Sequence, residues 1–167
     1  MAAGSTYTPI ATTTLGSAAA SYTFTSIPST YTDLILVIAG TTGALNNVLL
    51  QVGNGSIDTG NNYSTTFLVG DGSSATSSRQ SSVSNLLVGR IGTDQSINIV
   101  QLLNYSNTTT YKTLLCRGNN AATSGQVAAY VNLWRSTSAI NQVKVLEQVG
   151  SNFQTGTTFT LYGIAAA

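Results

Sequence analysis

The chain has 167 residues and a mass of 17.2 kDa, which is close to the commonest size of a single domain. Only eleven residues are charged, whereas Ser, Thr, Asn and Gln together supply 68, and the net charge is +1. The chain has no histidine and one cysteine, which argues against Ser-His-Asp and Cys-His catalysis, disulfide frameworks and the usual zinc sites. Because it also has no excess of basic residues, nucleic acid is not expected as a partner.

The distribution of apolar residues predicts an all-β protein. Short runs rich in Val, Ile, Leu, Thr and Tyr recur between clusters of Gly, Asn, Asp and Ser, and strong helix formers such as Glu, Lys and Met are scarce. We predict an antiparallel β-sandwich of the jelly-roll type: one domain over residues 15–167, preceded by an N-terminal arm or edge strand over residues 1–14. The predicted strands are 7–15, 22–27, 34–38, 45–52, 63–69, 85–91, 96–103, 111–117, 126–134, 140–149 and 157–164.

Four features of the first half refine this prediction. Pro9 cannot donate a ladder hydrogen bond, so the first strand fits an edge or an arm that crosses to a neighbour. Residues 34–38 are apolar at every position, which predicts a central strand that is covered above and below. Gly-Asn-Gly at 53–55 predicts a hairpin turn. The Ser-rich stretch 70–84 is expected to form an exposed loop of more than ten residues.

Alternation within two strands of the second half predicts which side chains face the core. In 126–134 the aliphatic residues are assigned to the core, and Tyr130, Asn132 and Trp134 are assigned to a face that meets a partner. In 97–103 the alternation changes phase near Gln101, which a β-bulge would explain. The predicted core comprises Phe24, Leu34, Leu36, Ile38, Leu50, Ile97, Ile99, Val131, Leu133, Val143, Val145, Phe159 and Leu161.

Residues with catalytic or metal-binding chemistry are few. A glycosidase needs two carboxylates at a set separation, and the chain has five carboxylate side chains: Asp33, Asp58, Asp71, Asp94 and Glu147. Asp58, Asp71 and Asp94 lie in Gly-, Asn- or Ser-rich segments, where Asp forms turns by accepting hydrogen bonds from its own backbone. The segment 54–62 could hold calcium only through Asp58, so an ordinary loop is favoured. Cys116 follows two leucines and is expected to be a buried thiol. We predict no enzymatic activity, no metal and no cofactor.

Aromatic side chains leave a second interpretation open. Eight Tyr and one Trp could stack on sugar rings, although the same residues also fill sandwich cores and protein interfaces. The longest purely apolar run has six residues, at 34–39, whereas a membrane-spanning helix needs about 20. We therefore expect no membrane partner and retain carbohydrate binding as an alternative.

Several motifs carry a resemblance to a known group of proteins. They are Phe24-Thr25-Ser26-Ile27-Pro28 followed by Tyr31-Thr32-Asp33-Leu34, then Asn104-Tyr105-Ser106, Tyr111-Lys112-Thr113, Trp134-Arg135-Ser136-Thr137 with Ile140, Phe153, and Thr158-Phe159-Thr160-Leu161-Tyr162-Gly163-Ile164. Over residues 7–164 the chain resembles small virion structural proteins of tailed bacteriophages, including those that infect cyanobacteria. The resemblance implies a cement or decoration protein of jelly-roll-like fold, often trimeric, bound outside the major capsid protein lattice.

The resemblance and the low charge predict the same role. Values of net charge near zero favour association, so much of the surface is expected to be covered by identical copies or by another protein. We predict a homotrimer on the exterior of a phage capsid, with a tail-fibre or receptor-binding module that recognises host carbohydrate as the alternative. The interface residues predicted from arms, loops and exposed rings are Tyr7, Ile10, Arg79, Trp134 and Arg135.

Overall fold

The computed structural model describes residues 6–120 and 125–165, and these residues contain strands and no helix. An antiparallel β-sandwich is therefore the fold, as predicted. No segment of this described part is a helix long and apolar enough to cross a membrane. The strands are β1 (Tyr7–Thr14), β2 (Ser21–Phe24), β3 (Asp33–Gly40), β4 (Asn46–Asn54), β5 (Ser56–Ile57), β6 (Tyr63–Gly70), β7 (Ala75–Val83), β8 (Leu86–Ile91), β9 (Ser96–Leu103), β10 (Lys112–Asn120), β11 (Gln126–Trp134), β12 (Gln142–Glu147) and β13 (Thr158–Ile164).

Two sheets of unequal size form the sandwich. The large sheet has eight strands in the order β1-β13-β3-β9-β10-β11-β6-β7. In the small sheet β12 lies between β2 and β4, and β4 also pairs with β5 and β8. Because the chain passes repeatedly from one sheet to the other, the connections are jelly-roll-like. The first strand pairs with the last, so β1 occupies an edge of the large sheet.

The core lies between the two sheets and includes most of the residues predicted for it. Nine predicted core residues are buried: Phe24, Leu34, Leu36, Ile38, Leu50, Val143, Val145, Phe159 and Leu161. Aromatic rings close one end of this core, where the ring of Phe159 stacks on that of Tyr22 with the centroids 5.4 Å apart. Phe153 meets Phe159 edge to face at 5.2 Å.

Four predicted core residues face the other way. Val131 is 53% exposed and Ile97 39%, while Ile99 and Leu133 are half-buried. The assignment of faces in β11 was therefore inverted, and Tyr130, Asn132 and Trp134 point into the core. Large rings fill the inward positions of β11, and the buried amide makes hydrogen bonds, so polarity did not mark the solvent side.

The predicted bulge at Gln101 is absent from β9, whose register with β3 and β10 runs without a shift. Alternation keeps one phase along the whole strand, because Ser96 and Asn98 occupy inward positions and are fully buried. The apparent change of phase came from these two polar residues. Asn98 donates from Nδ2 to the carbonyl of Arg90 at 3.1 Å, which compensates part of the cost of burying its amide.

The Ser-rich stretch is a strand and not the predicted loop. Its residues pair with β6 from Tyr63↔Val83 to Gly70↔Ala75, although nearly all of them are exposed, as predicted. The Asp71 carboxylate accepts hydrogen bonds from the backbone N–H groups of Ser73 and Ser74 and so forms the turn into β7. The other predicted hairpin is present between β4 and β5, where Gly55 has a φ of 74°, a conformation that glycine adopts without strain.

Candidate functional site

The broadest unusual surface is the outer face of the large sheet, which we define as the side chains that point away from the small sheet. On the four central strands β3, β9, β10 and β11, most of these side chains are aliphatic. They are Ile35, Val37, Ala39, Ile97, Ile99, Leu103, Leu115, Val127, Ala129, Val131 and Leu133. The side of the sheet that the core does not use therefore carries aliphatic side chains on β3, β9 and β11. On β10, Leu115 joins these groups, and the other outward residues, Thr113, Arg117 and Asn119, interrupt them.

The strand register places these side chains in rows. Val131 of β11 lies opposite Leu115 of β10, which lies opposite Gln101 of β9 and, through it, Ile35 of β3. Side chains directly opposite one another in neighbouring strands have Cβ atoms about 5 Å apart and contact each other. Leu115 and Ile35, together with Ile99, also line a shallow groove of about 320 Å³ on this face.

Strand β3 shows most directly that this face lacks a cover. Its inward side chains Leu34, Leu36 and Ile38 are fully buried, whereas Ile35 and Val37 on the outer face are only half-buried. The prediction that this strand is covered above and below is therefore correct for one side, the side that faces the small sheet. Within the described residues, no second layer covers the other side.

The outer face carries little charge. Arg117 of β10 and Arg79 of β7 are exposed on it, and Arg79 lies at the sheet edge opposite Thr66. Asp33 lies at the margin, where its carboxylate accepts a hydrogen bond from the backbone N–H of Asn104 at 2.7 Å. Apolar contact therefore dominates what this surface offers, with the two guanidinium groups as the cationic features.

Two of the predicted interface residues lie on the outer face, at opposite edges of the large sheet. Tyr7 of β1 is 57% exposed, and its ring meets Tyr162 edge to face with centroids 6.2 Å apart. Arg79 occupies the other edge. Ile10 differs from the prediction, because it sits at a register shift in β1 and packs half-buried against the core.

Trp134 and Arg135 lie at the end of β11, and the prediction of an exposed ring there is wrong. Trp134 is only 3% exposed, because its ring points between the sheets, and its Nε1 donates to the Asp58 carboxylate at 2.8 Å. Arg135 is half-buried and donates to Ser64 Oγ and to the carbonyl of Asn61. Both residues therefore fasten the loop before β6 and the start of that strand.

Asp58 is a partly exposed carboxylate, and its bonds are those of a structural turn. Besides Trp134, it accepts hydrogen bonds from Asn62 Nδ2 at 2.9 Å and from the backbone N–H of Gly60 at 2.8 Å. Partial burial on its own would raise the pKa of Asp58, but the three hydrogen bonds outweigh it and hold the pKa below its ordinary value. This arrangement matches the predicted turn and offers no free coordinating carboxylate for calcium.

We expect Asp58→Asn to lower the free energy of unfolding by about 1 kcal/mol at neutral pH, since a charged acceptor becomes a neutral one at a partly exposed site. A carboxylate with a lowered pKa stabilises the fold above its ordinary pKa, and this contribution is lost as the pH falls through the folded-state pKa. Denaturant unfolding should therefore show the difference from wild type shrinking between about pH 5 and pH 2. Asp94→Asn, at an exposed turn, is the control, and a difference that stays constant with pH would contradict the assignment.

The remaining reactive groups are also engaged in the architecture. Glu147 is buried and accepts hydrogen bonds from the backbone N–H groups of the following turn and from Asn46. Burial raises the pKa of the Cys116 thiol to about 12, so the thiolate needed for reaction is suppressed. Lys112 is buried too, and burial lowers its pKa. Among the described residues no three His, Cys, Asp or Glu side chains are grouped as metal ligands would be.

Sequence reasoning missed the aliphatic residues of the outer face, above all Val127, Val131 and Leu115. A signal was available, because the strands at 34–38 and 97–103 contain more apolar positions than one side of a sheet can bury. Strand 34–38 was predicted to be covered on both faces, but in 97–103 and 126–134 the aliphatic face was taken as the core. The surplus of apolar positions is the feature that marks a second buried side.

Comparison with known proteins identifies no family for the chain. No family model matches it, and no curated protein matches it. One solved structure, domains LG4-5 of the mouse laminin alpha1 chain, is similar with a TM-score of 0.30 and 15% sequence identity. That match covers 90% of this chain and 40% of the laminin chain, so this chain spans less than half of its length.

Proposed function

We propose that this protein is a non-enzymatic structural protein of a tailed-phage virion. It binds the outside of the assembled capsid, contacts the major capsid protein, and acts there as a homotrimer that cements the lattice. The observation that carries this proposal is a nearly neutral β-sandwich that leaves one broad apolar sheet face uncovered. Surfaces of that kind belong to proteins that work in contact with other proteins.

The use of the reactive side chains supports a role without catalysis. The carboxylates of Asp58, Asp71 and Glu147 accept backbone hydrogen bonds in turns, and the Cys116 thiol is buried between the sheets. A general acid and base need side chains that are free to exchange protons with a substrate in a cleft. These groups instead hold the fold together, which is consistent with a protein that contributes mechanical stability.

Mass action explains how such a protein would strengthen a capsid. A protein that binds the assembled lattice and not its separated subunits shifts the equilibrium against disassembly. Repetition of the site across the lattice supplies a high effective concentration, and a trimer contacts several subunits at once. Because this chain has few charges, its contacts would be apolar or neutral hydrogen bonds, which salt screens little.

Thermal disruption of purified particles tests the proposal. We expect particles that lack this protein to release their genome at a lower temperature than complete particles, and the difference to persist at moderate salt. Adding the purified protein back should restore the original temperature, which separates cementing from an assembly defect. Hundreds of copies per particle are expected by mass spectrometry, because a lattice has many equivalent sites.

A different result would favour the tail-fibre alternative. If depleted particles were equally robust but failed to adsorb to cells, and if only a few copies were present, the protein would belong to the receptor-binding apparatus. The structure lends that alternative little support, because the rings of Tyr63, Tyr105, Tyr130 and Trp134 are buried and cannot stack on a sugar. Tyr7 and Tyr111 are the rings more than half exposed.

A further inference from the structure

We propose that the outer face of the large sheet is where copies of this chain pack against one another. This inference names the contact that holds together the homotrimer of the proposed function, and it rests on that function for the number of copies. The occupant is a second copy of the same chain, seated on the aliphatic side chains of β9 and β11 and on Leu115 of β10. Val131, Leu115 and Val127 are the residues whose exposure this contact removes.

The composition of the central strands is the first argument. Strands that are apolar on both faces are buried on both faces, whereas strands with one solvent-exposed face alternate between apolar and polar residues. In β3 and β11 the outward positions are almost all aliphatic, yet Val131 is 53% exposed and Val127 68%. Within the described residues, the small sheet covers the inner face of these strands, and nothing covers their outer face.

The size of the face is the second argument. Eight strands about 4.8 Å apart and about eight residues long, at about 3.3 Å per residue, span on the order of 1,000 Å². A stable protein interface buries about 800 Å² per partner, and soluble monomers rarely expose apolar patches beyond a few hundred Å². The whole face is thus large enough for a stable contact. Its four central strands, which carry the aliphatic side chains, account for about half of that area, or about 500 Å², at the upper end of the apolar patches that monomers expose.

Charge favours an identical partner over an unlike one. An interface that selects a different protein commonly uses complementary charges, but this face offers little beyond Arg79 and Arg117. Arg79 lies at the sheet edge, where its guanidinium remains in water. Arg117 lies between Ile99 and Ala129 in the strand register, so its side chain is part of the contact, with its methylene stem on these apolar neighbours.

Sedimentation of the purified full-length protein tests the inference through a matched pair of variants. Val131→Lys and Val127→Lys place a charge in the proposed contact, whereas Val149→Lys makes the same change at a side chain outside the outer face that is 71% exposed. All three positions are exposed, so each variant is expected to fold, which cooperative thermal unfolding verifies. Wild type and Val149→Lys should sediment as oligomers. Val131→Lys and Val127→Lys should dissociate at a concentration at least roughly 30-fold higher, the loss typical of a central contact.

Two outcomes would overturn the inference. The first is a wild-type protein that stays monomeric at high concentration. If Val131→Lys then also lost capsid binding, the outer face would be the contact with the capsid protein. The second is that Val131→Lys and Val127→Lys remain as oligomeric as Val149→Lys, in which case the contact between copies lies elsewhere on the chain. The proposed function fails separately, through particles that do not need the protein, whatever the oligomeric state of the purified chain.

Discussion

Phe159→Ala will lower the free energy of unfolding by about 3–5 kcal/mol, the cost typical of removing a buried ring. Phe159 is fully buried at the centre of an aromatic cluster, stacked on Tyr22 and edge to face with Phe153. Tyr22 belongs to the small sheet and Phe159 to the large one, so the ring joins the two layers. Alanine would leave a cavity at this junction and remove both ring contacts.

Chemical denaturation monitored by circular dichroism measures this loss, with Tyr111→Ala as the control. Tyr111 is also aromatic but is 54% exposed, so its truncation should change the free energy of unfolding by well under half as much. Equal effects of the two substitutions would show that the aromatic cluster does not contribute as its burial implies.

Asn132→Ala will cost about 3 kcal/mol of unfolding free energy, because several buried groups lose their partner together. The Asn132 amide is fully buried: its Oδ1 accepts from Thr65 Oγ1 at 2.6 Å, and its Nδ2 donates to the Leu87 carbonyl at 3.1 Å. Thr65 Oγ1 in turn accepts from the backbone N–H of Leu87 at 3.2 Å. These bonds tie strand β8 of the small sheet to the large sheet, and alanine removes the side-chain donor to the Leu87 carbonyl.

Asn61→Ala, at an exposed position before β6, controls for the loss of an amide side chain. It should change the free energy of unfolding by less than about 0.5 kcal/mol. Hydrogen exchange adds a second readout, since the amide proton of Leu87 should exchange faster in Asn132→Ala than in wild type. A loss within the range of Asn61→Ala, with unchanged exchange at Leu87, would contradict the role of this network.

The fold class and most strand positions were predictable from local pattern. Strands β9 and β11 have the bounds that their apolar runs predict, because turn-forming residues flank both. The side that each strand turns to the core was harder to predict. Asn98 and Asn132 look like solvent-facing residues, and their burial depends on partners elsewhere in the chain, such as Leu87, 45 residues before Asn132. No local alternation contains that information.

Prediction of the candidate site failed for a related reason. Trp134 was assigned to an interface because it alternates with the aliphatic residues that were assigned to the core, but its ring is buried and its Nε1 donates to the Asp58 carboxylate. Val131 was assigned to the core because aliphatic residues usually mark it. A sheet with two apolar faces breaks that rule, and only the packing of the small sheet on one side shows which face remains open.

The position of β13 governs the order in which the large sheet can form. Thr158–Ile164 lies between β1 and β3, so β1 has no sheet partner until β13 has emerged from the ribosome. Pairings that join distant parts of a chain form slowly, since the intervening loop must close first. The large sheet is therefore completed only after synthesis of β13, and until then the nascent chain exposes unpaired strand edges, which are prone to aggregate.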